Sequence, residues 1–273
     1  MIHFWKMNGA GNDFVVVDNR KNQLSLSREE ISLLCQRQRG IGADGLLAVE
    51  PAEDRSENGA DYRMRYYNAD GGEAEMCGNG ARCFAAFVNR LNDKQLEQVS
   101  FETMAGVIQA QFLGDTIRID LGRPQDQKLN SSLEVNGEQI TVHSVNTGVP
   151  HAVVTVDDLE NTDIRTLGSA LRHHAHFAPA GSNVNFMQIE TPDHISIRTY
   201  ERGVEDETLA CGTGMVACAL MHHQLNDAPL PIKITVRGGD TLLVDFEKNP
   251  DGDVENATLT GPAEFTFEGT FLN

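Results

Sequence analysis

The chain has 273 residues, 40 acidic and 22 basic, for a formal net charge of −18 at pH 7. That balance repels phosphate backbones and anionic lipid, so neither a nucleic acid nor a membrane surface is expected as a partner. With 40% hydrophobic and 23% charged residues and no apolar run near the roughly 20 residues of a membrane span, the composition predicts a soluble chain long enough for two domains with their own cores.

The first residues, Met1-Ile2-His3-Phe4-Trp5-Lys6, alternate like a strand and lack the apolar stretch of a secretory signal. Together with an odd number of cysteines (Cys35, Cys77, Cys83, Cys211 and Cys218), this points to a reducing cytoplasm rather than a disulfide scaffold. Alternating runs then predict strands over 13–18, 62–67, 107–112, 116–121, 139–145, 184–189, 194–200, 232–236, 241–246, 257–260 and 264–267. Helices are expected over 28–38, opened by a capping box of Ser27 and Glu30, and over 80–91, 166–177 and 213–223. The second and fourth are apolar on most sides and read as buried, while the third is amphipathic and reads as an outer helix. Gly122 to Asn130 mixes Pro, Gly and charge and is the expected loop between domains.

The two apolar helices begin alike, with Cys77-Gly78-Asn79-Gly80-Ala81 and Cys211-Gly212-Thr213-Gly214-Met215, and 134 positions, almost half the chain, separate Cys77 from Cys211. The expected fold is therefore α+β, with two pseudo-symmetric domains, each a mixed or antiparallel sheet or barrel wrapped around a central helix. The bounds are 1–121, with 264–273 returning to it, and 122–263.

The bland reading of C-G-x-G is a tight turn ahead of a core helix. Two matched copies favour chemistry instead, since unpaired N–H groups and the positive dipole end of a helix stabilise a thiolate, and the glycines leave N–H groups uncovered for an anion. Two such thiols suit inversion at a carbon alpha to a carboxylate, one removing a proton while the other delivers one to the opposite face. The scheme calls for no metal, no pyridoxal phosphate and no other cofactor. Cys35, Cys83 and Cys218 read as core residues.

These features resemble the diaminopimelate epimerase family along nearly the whole chain. The carrying segments are Lys6 to Phe14 (KMNGAGNDF), Gly40 to Leu47 (GIGADGLL), Tyr67 to Cys83 (YNADGGEAEMCGNGARC), Gly181 to Phe186 (GSNVNF) and Tyr200 to Gly214 (YERGVEDETLACGTG). The resemblance implies cofactor-independent interconversion of L,L- and meso-diaminopimelate for lysine and peptidoglycan precursor synthesis, in a homodimer. It places the catalytic thiols at Cys77 and Cys211, with His151 and Glu201 tuning them and orienting the reacting amino group. It places substrate contacts at Asn12, Asn68, Gly78, Asn79, Asn185, Glu201, Arg202, Gly212 and Thr213, with Arg202 gripping the distal carboxylate.

Three positions depart from the family pattern. Val149 replaces a frequent asparagine, with Asn146 a candidate substitute; Gly45 stands where some members have a glutamine; and the acidic loop 204–207 is one residue longer than the short family form. An alternative of the same fold is another cofactor-independent amino-acid racemase. From a different class, His173, His174, His176, His222 and His223 suggest a metal-binding or thiol-redox module, with His173 and His176 spaced i, i+3 on one helix.

Overall fold

The computed structural model describes residues 1–53 and 59–272. Its contacts divide the chain into two units, Met1–Ile119 together with Gly261 onward, and Asp120–Thr260.

The first unit opens with antiparallel β1 (Ile2–Gly9) and β2 (Asn12–Asp18). Helix α1 (Arg28–Cys35) leads to β3 (Gly45–Pro51), parallel to β2, and β4 (Tyr62–Asn68) turns back antiparallel to β3. A two-residue β5 (Glu73–Ala74) precedes α2 (Gly78–Leu91), which carries the chain to β6 (Gln98–Thr103), parallel to β4, and then to β7 (Gly106–Leu113) and β8 (Thr116–Asp120). The second unit runs β9 (Gln125–Val135), β10 (Glu138–Asn146), β11 (Pro150–Thr155), α3 (Ile164–Arg172), β12 (Asn183–Thr191), β13 (His194–Glu201) and β14 (Asp206–Thr208). It continues through α4 (Gly212–Asn226), β15 (Ile232–Thr235), β16 (Thr241–Lys248) and β17 (Val254–Gly261). Finally β18 (Glu264–Phe271) pairs antiparallel with β1 of the first unit.

The strand orders β18-β1-β2-β3-β4-β6-β7-β8 and β9-β10-β11-β12-β13-β15-β16-β17 carry the same succession of pairings: antiparallel, antiparallel, parallel, antiparallel, parallel, antiparallel, antiparallel. Helices α1 and α3 occupy the first parallel crossover of each unit, α2 and α4 the second. The expected α+β fold of two matched halves is thus present, each with a sheet around one buried helix. Helix α2 packs against β1, β2, β3, β4 and β7, and α4 against β10, β11, β12, β13, β15 and β16.

The central strands of each sheet are buried on both faces. Val15 and Val17 of β2 join Ile31, Leu34 and Cys35 of α1 in one cluster, while Phe14 and Val16, on the other face, are equally buried. The second unit repeats this with Ile164 and Leu171 of α3 against Ala152, Val154, Val184 and Phe186. This double burial explains why β3 and β11 have no alternating pattern: Leu46 to Val49 and His151 to Val154 are all buried in succession.

Some expected boundaries differ. The first helix stops at Cys35 rather than Gln38, because Gln36 is extended and the N–H groups of Ile41, Gly42 and Ala43 return to the carbonyls of Leu34 and Cys35. The third ends at Arg172, followed by a 3-10 turn over Ala175–Phe177, because His174 is extended. The segment 122–130 is not a continuous loop. Gln125 to Asn130 begins β9, whose exposed first half pairs with β10 through register shifts, with Asp126 and Asn130 at positive φ; solvent on these residues removes the apolar signal. No described helix is long and apolar enough to cross a membrane.

Candidate active-site residues

In both units a short strand delivers the chain to a cysteine that is the N-cap of the buried helix. Cys77 (φ −140°, ψ 120°) precedes α2 and Cys211 (φ −128°, ψ 109°) precedes α4, both in the extended conformation an N-cap requires. Gly78, Asn79, Gly212 and Thr213 therefore form the first turns, where backbone N–H groups point out of the helix.

In the first unit, Cys77 Sγ accepts from the Gly80 N–H at 3.5 Å and donates to Asn12 Oδ1 at 3.5 Å. Asn12 is oriented from behind, its Nδ2 donating to Asp44 Oδ2 at 2.7 Å. Asp44 is held by Arg37 at 2.8 Å, and Arg37 forks onto both oxygens of Asp13 at 2.9 Å, where Lys6 also binds at 2.6 Å. Lys6 also donates to the Gly42 carbonyl. Burial raises the Asp13 carboxyl, but the Arg37 and Lys6 hydrogen bonds outweigh it and hold the group at about 2. At the first turn of α2, Asn79 Oδ1 accepts from the fully buried Arg82 at 3.0 Å. Asn68 ends β4 in an exposed turn closed by its own backbone to Gly71 and Gly72, its Oδ1 accepting from Tyr66 at 2.8 Å.

In the second unit, His151 on β11 and Asn185 on β12 are fully buried on neighbouring parallel strands. His151 Nε2 lies 2.9 Å from Thr213 Oγ1, which lies 3.6 Å from Cys211 Sγ. Burial, with the nearby Arg202 charge, pushes the His151 imidazole down to about 3, so this histidine is neutral. Glu201 ends β13 and accepts from Thr208 Oγ1 at 2.9 Å. Arg202 follows in the turn, its Nη1 donating to the Ala180 carbonyl at 3.2 Å and its backbone N–H to Asn183 Oδ1 at 2.8 Å.

Cys35, Cys83 and Cys218 are buried, and burial pushes the first two thiols up to about 12 and the third higher still. Gly45 has a steric reason: a Cβ there would stand 2.5 Å from the Tyr67 carbonyl oxygen, so no glutamine fits this backbone. Asn146 caps its own turn, accepting from the Gly148 N–H at 3.0 Å. The histidine reading meets its own difficulty, since the α3 helix ends before His173 and the i, i+3 helical spacing to His176 does not exist. His173, His222 and His223 instead bond carbonyls of Ser169, Pro192 and Ala228. Among the described residues no His, Cys, Asp and Glu side chains group as a metal site.

A family model described as diaminopimelate epimerase matches residues 4–126 and 143–266. The chain belongs to the diaminopimelate epimerase family. It is 40% identical to the diaminopimelate epimerase of Aquifex aeolicus, covering 98% of this chain and 97% of that one, and 41% identical to that of Chlorobaculum tepidum, covering 97% and 99%. Among solved structures, a phenazine biosynthesis protein of the PhzF family from Bacillus anthracis superposes with a TM-score of 0.73 at 17% identity, covering 100% of this chain and 99% of the other, a likeness of fold.

Residues that the sequence reading of this epimerase-family chain passed over stand behind the expected ones: Lys6, Asp13, Arg37 and Asp44 behind Asn12, Arg82 behind Asn79, and Asn183 between Pro150 and Arg202. All but Arg37 lie inside the five segments that carry the resemblance, and that was the available signal.

Proposed function

We propose that the protein is a cofactor-independent diaminopimelate epimerase, interconverting the L,L and meso isomers by inversion at one α-carbon. The observation that carries the reading is the repetition of a cysteine N-cap at the same place in two units of identical strand succession, alongside membership of the family. The thiolate of one cysteine takes the α-proton, leaving the electron pair on carbon. The thiol of the other gives its proton to the opposite face, so the two exchange protonation states in each turnover. The first-turn N–H groups of Gly78, Asn79, Gly212 and Thr213 stabilise the charge developing on the α-carboxylate, and removing one donor of this kind typically raises the barrier by roughly 2.7–4 kcal/mol.

Arg202 grips the distal carboxylate through its planar fork, and Asn12, Asn68 and Glu201 orient the amino groups. Neutral His151 acts on Cys211 through Thr213. The reaction serves lysine and peptidoglycan precursor synthesis in the cytoplasm, and the protein works as a homodimer.

The test is incubation of L,L-diaminopimelate with the enzyme in heavy water. Solvent deuterium is expected at the α-position of the inverted product, with inversion lost in Cys77→Ala and in Cys211→Ala. Normal inversion by either variant overturns the two-thiol reading.

A further inference from the structure

The Asn185 amide does not face outward. Its Nδ2 lies 3.1 Å from the Ala152 carbonyl oxygen and 3.0 Å from His151 Nδ1, while its Oδ1 accepts from Thr199 Oγ1 at 2.9 Å. A backbone carbonyl only accepts, so the contact with Ala152 fixes which end of the amide is nitrogen. Both amide hydrogens are then committed, one to Ala152 and the other to His151 Nδ1. An Nδ1 that accepts carries no proton, so the neutral imidazole carries its proton on Nε2. That proton points to Thr213 Oγ1, 2.9 Å away, and fills an acceptor position of the hydroxyl. The hydroxyl hydrogen is thereby directed to the next acceptor, Cys211 Sγ at 3.6 Å. Thr213 is itself fixed by its backbone, whose carbonyl accepts from Thr147 Oγ1 at 2.9 Å.

We propose that Asn185 is a positioning residue rather than a substrate contact: it sets the tautomer of His151 and so turns the Thr213 hydroxyl toward the Cys211 sulfur, where it stabilises the thiolate. This rests on the reading of Cys211 as one of the two acid/base thiols. The packing supports the assignment, since Asn185 and His151 are fully buried and a Cβ on Gly214 would stand 2.3 Å from Asn185 Oδ1. The neutrality of His151 is the state the relay requires.

The test has two arms. In the wild-type enzyme labelled with 15N-histidine, two-bond nitrogen–proton spectra are expected to show His151 as the Nε2–H tautomer; an Nδ1–H signal overturns the proposal without recourse to any variant. In the second arm, iodoacetamide alkylation of Cys211 is followed by peptide mass spectrometry. Asn185→Asp offers His151 an acceptor instead of a donor, which moves the imidazole proton to Nδ1 and draws the Thr213 hydroxyl away from sulfur. Loss of one hydrogen bond to a charged group predicts alkylation of Cys211 slowed roughly tenfold, with Cys77 unaffected, and kcat for epimerisation lowered to a similar degree at a KM within about twofold of wild type.

Thr213→Val is expected to slow Cys211 alkylation as much, and the double variant no further, because both act through one hydroxyl. Additive effects, or an Asn185→Asp protein whose Cys211 reacts at the wild-type rate, overturn the relay. Spectra and alkylation are read without substrate, so failure to epimerise diaminopimelate refutes the proposed function while leaving the relay separately decided.

Discussion

Gly214 packs so closely on Asn185 that a Cβ at 214 would lie 2.3 Å from Asn185 Oδ1, an atom held in place by Thr199. Its counterpart Gly80 has more room, its nearest obstacle being a methyl of Leu47 at 3.3 Å. Gly214→Ala is expected to destabilise the protein by about 2–3 kcal/mol and Gly80→Ala by less than about 1 kcal/mol, as overpacking costs more where the neighbour is pinned. Urea unfolding of both variants reads the difference, and equal midpoints would contradict it.

Acid is expected to act in two stages. The unfolded chain protonates His151 below its ordinary 6.5, whereas the folded imidazole stays neutral until about 3, so stability falls as pH drops through this window by up to about 1.4 kcal/mol per pH unit. His143 and His222, both lowered chiefly by burial, add to the slope. Asp13 follows: its folded pKa lies below its ordinary 3.8, so the stability it contributes is full above that value and is lost as pH falls towards about 2. Unfolding measured across pH should show a shallower slope between pH 6.5 and 4 in His151→Gln, and in Asp13→Asn a stability loss that is full above about 4 and shrinks only as pH falls towards about 2. An unchanged slope in His151→Gln would refute the first stage.

Thiol labelling should separate the five cysteines. Cys35, Cys83 and Cys218 are buried, with ionisation raised to about 12 or beyond, so they are expected to resist iodoacetamide until the protein unfolds. Half-buried Cys77 should label first and Cys211, 8% exposed, second. Isotopically distinct reagents applied before and after denaturation read this order, and native labelling of Cys83 or Cys218 would refute it.

Arg198 forks onto Glu207, with Nε–Oε1 2.6 Å and Nη2–Oε2 2.8 Å, and its Nη1 reaches the carbonyls of Leu159 and Glu160. It thus ties β13, β14 and the segment leading to α3 together. Arg198→Lys keeps the charge but gives up the fork, and the expected loss is about 2 kcal/mol in urea unfolding. A loss under about 0.5 kcal/mol would show that charge alone suffices.

Much of this was legible in the residues. Strands with one wet face, such as β13 and β16, betray themselves by alternation, and the paired Cys-Gly-x-Gly starts announced both buried helices. Strands β3 and β11 were silent because helices cover both faces, and the first half of β9 because solvent does. Cys77 and Cys211 stood out from repetition, whereas the direction of the Asn185 amide, turned to His151 and Ala152, did not, because an asparagine's sequence neighbours do not say which way its amide points.

The sequence by itself determined the two-half plan, the matched cysteines and the family, because these are properties of order and spacing along the chain. Only the tertiary structure decided that Lys6, Arg37, Asp13 and Asp44 brace Asn12 and that Asn185 faces His151. The contacts Asn12–Asp44, Arg37–Asp13 and Asn185–His151 join residues tens of positions apart, brought together by strand pairing that linear spacing does not encode.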